Sequence, residues 1–212
     1  MNEKRRMRIQ WLSTFFCLVL LATCLTSAFA AGDWVAEHKS GCKLWDPEPV
    51  AGFHFSWTGG CKDGLLDGTG VLQWYDAAGK PDDKYEGSYV KGYMQGKGIY
   101  TFAEGMRYEG DFANNMRSGK AVITWPNGSR YEGDIVDDVI HGNGTFTWAN
   151  GRSYSGGYVD GLRHGKGVLV SSRGNRYEGE FFEGRRHGYG EMTYANGKVE
   201  KGQWKEGKFV GP

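Results

Sequence analysis

Proline is scarce in this sequence, with five residues in 212, and no Gly-X-Y period runs through its 35 glycines. Collagen and proline-rich disorder are excluded on that ground. Charge of one sign is lacking too: 26 basic residues face 25 acidic ones, a formal net of +1. No global field therefore draws the chain to nucleic acid or to an anionic membrane. The four cysteines include neither a CxxC pair nor a neighbouring His cluster, which removes the usual zinc and thiol-redox signatures. A long hydrophobic run occurs once, at Ile9–Leu25. What abounds is glycine and aromatic residues, the latter at 15%, far too many rings for a solvated polar chain. Together they describe short strands, tight turns and rings laid over bare backbone.

The single apolar run belongs to a leader. "MNEKRRMR" is a basic n-region, Ile9–Leu25 carries no charge, and Ala28-Phe29-Ala30 has the small-x-small pattern of signal-peptide cleavage. Residues 1–30 thus read as a signal peptide, with a mature chain from Ala31 that is periplasmic or secreted. An uncleaved anchor competes, although the run sits at the short limit for a spanning helix. So does "LATC", which resembles a lipobox with Thr23 where a smaller residue is usual and would make Cys24 the lipidated first residue. Loss of Lys4, Arg5, Arg6, Arg8 and Glu3 with the leader turns the net charge to −2. Cys42 and Cys61 remain, an even pair expected to form a disulfide in an oxidising compartment.

Beyond the leader the chain repeats itself. Tyr85, Tyr108, Tyr131, Tyr154 and Tyr177 stand 23 residues apart without insertion. Glu200 begins a truncated copy. Trp57 begins an earlier one, separated from Tyr85 by an insertion in "YDAAGKPDDK". A fixed period of this length signals stacked units. Two residues after each aromatic start comes Gly (Gly87, Gly110, Gly133, Gly156, Gly179), and two further on a large apolar residue such as Phe112, Ile135 or Phe181. Alternation puts these on one strand face, and the Gly leaves room for a ring across the backbone. A second strand follows, with inward positions Leu72/Trp74, Tyr100/Phe102, Ile123/Trp125, Phe146/Trp148, Leu169/Ser171 and Met192/Tyr194. "PNG" and "ANG" then supply turns that require positive φ. Each copy is one β-hairpin that buries its aromatic face only by stacking on neighbours.

These motifs resemble the MORN (membrane occupation and recognition nexus) repeat, approximately YxGxxxxGxxHGxGxxxxxxG. "YEGEFFEGRRHGYGEMTYANG" from Tyr177 fits every motif position, whereas the Tyr108 copy has Asn115, Ser118 and Ala121 where Gly, His and Gly are usual. The resemblance implies an all-β fold: an elongated, slightly twisted, single-layer antiparallel sheet of stacked 23-residue hairpins that serves as a scaffold. "CKLWDPEPVAGFHFSWTGGCKDG" is similar to the leading segment of exported bacterial members, in which two cysteines flank a Trp/Pro-rich stretch. By that resemblance Cys42–Cys61 would tie an amino-terminal cap, residues 31–54, to a repeat array over residues 55–212 of about six and a half copies. Enzymatic members carry a separate catalytic domain, which residues 31–54 are too short to hold.

Glu86, Glu109, Glu132 and Glu178 form a ladder with Lys84, Arg107, Arg130 and Arg176, expected to neutralise charge between adjoining hairpins. A catalytic carboxylate pair is a local departure from pattern, not a recurring one, so no enzyme is expected. His141, His164 and His187 also recur, but equivalents two strands apart lie about 9–10 Å from one another. One zinc with bonds of about 2.1 Å cannot gather them. His38 and His54 have no ligand spacing, so neither metal nor cofactor is expected.

Arg163, His164, Lys166, Arg185, Arg186 and His187, from "GLRHGK" and "GRRHGY", read as a basic rim for an anionic partner. Arg117, Lys120 and Lys97 continue the row, interrupted by Asp137 and Asp138. The Tyr154 copy is uncharged at Ser153, Ser155 and Gly157, a flat patch open to contact. Export and the lack of a reader motif exclude nucleic acid. The expected function is a non-enzymatic exported scaffold for a protein or envelope partner. Anionic-lipid or phosphoglycan binding at the rim is the alternative, and end-to-end self-association through the open terminal strand is a further expectation.

Overall fold

The computed structural model describes residues 32–212. The leader, cleavage after Ala30 and lipidation at Cys24 lie outside the described residues. Among the described residues every regular element is a strand. A short amino-terminal group comprises β1 (Asp33–Ala36), β2 (Lys43–Asp46), β3 (His54–Trp57) and β4 (Gly60–Lys62). A meander follows: β5 (Leu65–Tyr75), β6 (Pro81–Val90), β7 (Tyr93–Thr101), β8 (Arg107–Ala113), β9 (Met116–Thr124) and β10 (Arg130–Val136). It continues through β11 (Val139–Thr147), β12 (Ser153–Val159), β13 (Leu162–Val170), β14 (Arg176–Phe182), β15 (Arg185–Thr193), β16 (Val199–Lys205) and β17 (Lys208–Gly211). From β5 onward each strand pairs antiparallel with the strands before and after it in the chain. The expected open sheet of stacked hairpins is what forms.

Two kinds of turn alternate. Within a hairpin a two-residue turn has both residues at positive φ, as at Asn114 (49°) and Asn115 (69°) or Asp137 (46°) and Asp138 (70°). That is the type I′ geometry matching strand twist. Between hairpins the "PNG" turn closes with the Gly128 N–H donating to the Trp125 carbonyl at 2.9 Å. The insertion before Tyr85 lengthens β5 and β6 to 11 and 10 residues.

Every full hairpin from β6 onward also carries a bulge. In β10–β11 the register runs Gly133↔Gly144 and then Ile135↔Ile140, so Asp134 faces three residues. Gly142 there has φ 83°, and the Asp134 carboxylate accepts the Asn143 N–H at 2.8 Å. Repeated bulges bend each hairpin and fold its apolar face inward.

That inward face is the core. Tyr85, Tyr108, Tyr131, Tyr154 and Tyr177 have 0% exposure. Each hydroxyl donates to a carbonyl three residues on, such as Tyr108 to Asp111 at 2.7 Å and Tyr131 to Asp134 at 2.9 Å. Rings from neighbouring hairpins meet edge to face, with Tyr154–Phe181 at 5.0 Å and Tyr177–Trp204 at 5.1 Å. Ser171, the gap in the second-strand column, accepts the Asn175 N–H at its hydroxyl and serves its own turn.

Burial pushes the phenols of Tyr85, Tyr108, Tyr154 and Tyr177 up to about 12, and it raises those of Tyr89, Tyr131 and Tyr158 as well. Unfolded chain releases such protons near pH 10. Stability that is whole below pH 10 is therefore lost as pH climbs toward 12. Circular dichroism is expected to collapse cooperatively in that window, in step with tyrosinate absorbance of the buried rings. Their titration near pH 10 with the fold intact would contradict this.

The amino-terminal group closes the other end. β3 and β4 both pair with β5, β2 runs parallel to β5 at Lys43↔Leu65, and β1 pairs with β2. Cys42 and Cys61 form a disulfide with Cα atoms 6.0 Å apart, closing a loop across a sequence separation of 19. Trp34 sits against Trp45 and Tyr93 at 5.5 and 5.7 Å. Removing both cysteines by Cys42→Ser/Cys61→Ser is expected to cost about 2–3 kcal/mol by freeing that loop in the unfolded chain. The check is denaturant unfolding with and without reductant; equal midpoints would contradict it.

Candidate functional site

The face opposite the tyrosine core forms a groove of about 1730 Å³ running across the hairpins. Its floor is bare backbone at paired glycines, among them Gly98–Gly110, Gly133–Gly144 and Gly179–Gly190. Glycine is required there because the ring lies directly beneath: a Cβ on Gly144 would come within 2.4 Å of the Tyr131 hydroxyl oxygen. The register strings Glu86, Glu109, Glu132, Glu178 and Glu191 along the centre of the groove, with Ile99, Val122 and Val168 between them. Thr145 and Ser155, hydroxyl to hydroxyl at 3.0 Å, make an uncharged middle.

Charge in the groove is neutralised differently from expectation. Lys84–Glu86 (2.8 Å), Arg107–Glu109 (2.7 Å), Arg130–Glu132 (2.6 Å) and Arg176–Glu178 (2.5 Å) pair two residues apart on one strand, not between hairpins. The side chains at i and i+2 share a face and reach one another directly. Lys97 and Lys120 also line the groove and pair with Asp111 (2.9 Å) and Asp134 (2.5 Å) on the adjoining hairpin strand. The Lys120 ammonium, with the Asn143 N–H, holds the Asp134 carboxyl below the ordinary carboxylate range. Such exposed pairs add little stability, at most about 1 kcal/mol each, and are free to exchange partners.

The six residues of the expected rim do not share a surface. Arg163 and Arg186 turn to the aromatic face. The Arg163 guanidinium lies 5.6 Å from the Tyr154 ring centre and 5.4 Å from that of Phe181. The Arg186 guanidinium lies 5.6 Å from Tyr177 and 4.4 Å from Trp204. His164 and His187 flank the exposed Phe182 at 5.2 and 5.8 Å. Lys166 lines the groove, and Arg185 pairs with Glu206. Strand alternation, shifted by the bulges at Gly165 and Gly188, separates residues that are adjacent in sequence. His141 faces Asp160 at 3.5 Å. Among the described residues no three His, Cys, Asp or Glu side chains gather as metal ligands would.

Beyond the groove itself, two further features near the candidate site were not anticipated. One is a cavity of about 1420 Å³ between residues 44–53 and the first hairpins, walled by Trp45, Phe53, Trp74 and Tyr89. The other is the ring-stacked arginines. The recurrence of Met94, Arg117, Ile140, Arg163 and Arg186 nine residues after each tyrosine was the available signal: a position that accepts Met and Ile is a core position.

Comparison with known proteins follows this geometry. Seven segments match the MORN repeat: residues 57–77, 85–107, 108–130, 131–151, 154–176, 177–199 and 201–212. No curated protein matches the sequence. Two similar solved structures come from Drosophila melanogaster. The SAS-4 (dCPAP) TCP domain in complex with a proline-rich motif of Ana2 (dSTIL) is 14% identical, with 88% of this chain and 99% of that chain covered and a TM-score of 0.38. The TCP10c domain of Sas-4 is 15% identical, with coverages of 64% and 88% and a TM-score of 0.34. Likeness at this level has no bearing on function.

Proposed function

The chain belongs to the MORN-repeat family, and from that premise we propose that it is an exported, non-catalytic scaffold whose groove holds a protein or envelope partner. The observation that supports this reading is the continuity of the groove. Its lining of matched carboxylates recurs on the hairpins to either side of the uncharged Thr145–Ser155 middle, so it offers an extended partner similar contacts at successive steps. Four of the carboxylates are matched by a cation on the same strand and Glu191 by Lys201 on the next, an arrangement suited to recognition by ion-pair exchange. A disulfide between Cys42 and Cys61 suits an oxidising compartment. Export is tested by fractionation and by the intact mass of protein recovered from its source: recovery outside the cytoplasm with a start at Ala31 supports it, a diacylated Cys24 makes the chain a lipoprotein, a retained Met1 in the membrane makes it an anchored chain, and recovery with the cytoplasmic fraction contradicts it.

The groove is tested by charge reversal. Glu109→Lys/Glu132→Lys is expected to weaken capture of the partner from source envelopes at least tenfold while leaving the thermal midpoint within a few degrees. Undiminished capture would remove the groove from the account. The alternative, an anionic lipid or phosphoglycan, draws support from Lys166 and Arg185, both exposed. Salt-sensitive vesicle binding that is lost on Lys166→Glu/Arg185→Glu would favour it.

A further inference from the structure

An ion pair present in the middle of the sheet is half missing toward its carboxyl-terminal end. Arg117 shows the complete arrangement. Its Nε donates to the Asp138 carboxylate at 2.7 Å and its Nη2 to the Asp138 carbonyl at 3.3 Å. Asp138 is the second turn residue of the next hairpin, at φ 70°. Arg163 and Arg186 are the equivalents one repeat apart in the later hairpins. Each keeps the carbonyl contact, Arg163 Nη2 to Gly184 and Arg186 Nη2 to Gly207, the latter at 2.6 Å. The turn residue that should carry the carboxylate is glycine in both.

Among the described residues no carboxylate pairs with Arg163 or Arg186. The neighbouring charges felt by Arg163 are Arg152 and Arg186, both of its own sign. Arg152 itself lies over Trp148, 4.6 Å from the ring centre. One nitrogen of Arg163, Nη1, is buried without a hydrogen-bond partner. Arg186 feels one carboxylate, Glu200, which is itself bound by the Lys198 ammonium and the Tyr194 hydroxyl. Arg163, half-buried over rings with no carboxylate near it, and Arg186, with only a shared one, form a receptor for carboxylates.

We propose that Arg163 and Arg186 bind acidic side chains of a partner peptide, each carboxylate taking the place that Asp138 occupies beside Arg117. A peptide is favoured because the surrogate within the chain is itself an aspartate carried on a peptide turn. The two sites repeat at two-strand spacing, about 9–10 Å, close to one turn of a polyproline II chain, whose three residues at about 3.1 Å each bring every third side chain to one face. A flat bilayer does not reach guanidiniums set among rings as a protruding side chain does. This site goes beyond the scaffold reading and lies on the face opposite the groove, so either can fail alone.

The test uses the full exported chain and two synthetic peptides at low salt, one with Asp at every third position and one with Asn in its place. Wild type is expected to bind the Asp peptide at least tenfold more tightly. The decisive variant is Gly184→Asp/Gly207→Asp, which supplies the missing carboxylates from within. Both glycines sit at positive φ, 80° and 81°, with nothing within 4 Å of a built Cβ, and Asp138 already fills the equivalent place. That variant is expected to fold, to melt no lower than wild type, and to lose at least tenfold in Asp-peptide affinity. Arg163→Gln/Arg186→Gln should lose the same. Equal affinity for the two peptides, unchanged binding by the Gly184→Asp/Gly207→Asp protein, or binding of anionic vesicles without the peptide would each overturn the proposal. Capture of a groove partner is expected to be unaffected by either variant, which separates failure here from failure of the scaffold reading.

Discussion

Replacing Tyr131 by alanine is expected to cost about 4 kcal/mol, in the range for emptying a buried aromatic site. The ring has 0% exposure, meets Tyr158 edge to face at 5.8 Å, and covers the glycine pair Gly133–Gly144. Among the described residues a single sheet forms, with no second layer to collapse into the gap. Its hydroxyl also satisfies the Asp134 carbonyl at 2.9 Å, next to the bulge that bends the hairpin. Because a stacked array is held by nearest-neighbour contacts, the loss falls at one junction. Urea unfolding followed by tryptophan fluorescence should broaden or split, since Trp57 and Trp74 report on one side of the break and Trp204 on the other. Tyr131→Phe removes only the hydroxyl and should cost about 1 kcal/mol. A loss below about 2 kcal/mol for Tyr131→Ala would mean that the column does not hold the fold together.

Gly133→Ala is the second large effect, expected at about 3 kcal/mol or more, the upper range for overpacking. A Cβ there would lie 2.4 Å from the Tyr131 hydroxyl oxygen, 2.5 Å from the Gly144 Cα and 2.6 Å from the Asn143 carbonyl oxygen. Two of the three are backbone, so no rotamer change relieves the clash. The Tyr108 hairpin shows the limit of tolerance. Ala121 stands where Gly144 does in its neighbour, and one methyl is accommodated at 5% exposure. A second on Gly110 would sit 2.7 Å from it. Gly128→Ala is the control, with nothing within 4 Å of its Cβ and φ at 86°. It should cost only the left-handed backbone penalty of about 1–2 kcal/mol. Equal losses for the two variants would remove the steric argument.

How much of this was legible in the sequence depended on whether a feature recurs in phase. The tyrosine column, the glycine beneath each ring and the hairpin of each copy repeat at one period, and alternation places them on one face. Arg163 and Arg186 were misplaced because "RHG" reads as a solvated row until the bulge is known. With residues Gly165 and Gly188 inserted into the ladder, neighbours in sequence emerge on opposite faces. Pairing of Glu109 with Arg107, two residues back on its own strand, competes with the expected pairing between hairpins, and the shorter reach prevails. The groove was not legible at all. It gathers Glu86, Glu109, Glu132 and Glu178 from separate hairpins, and only the register of the ladder brings them side by side with Ile99, Val122 and Val168. The packing of Trp34 and Trp45 against Tyr93 likewise left no periodic trace.

Central to the account is that the groove, not the sheet edge, holds the partner. The most direct measurement places a photo-crosslinking residue at Thr145 or Ser155 on the groove floor and, for comparison, at Val210 on the exposed terminal strand. Crosslinking is done in intact cells of the source and read by mass spectrometry. The account predicts that one protein or envelope component is captured from both groove positions, is not captured from Val210, and is lost with Glu109→Lys/Glu132→Lys. Capture of the same species from Val210 alone, or capture from all three positions alike, would contradict it.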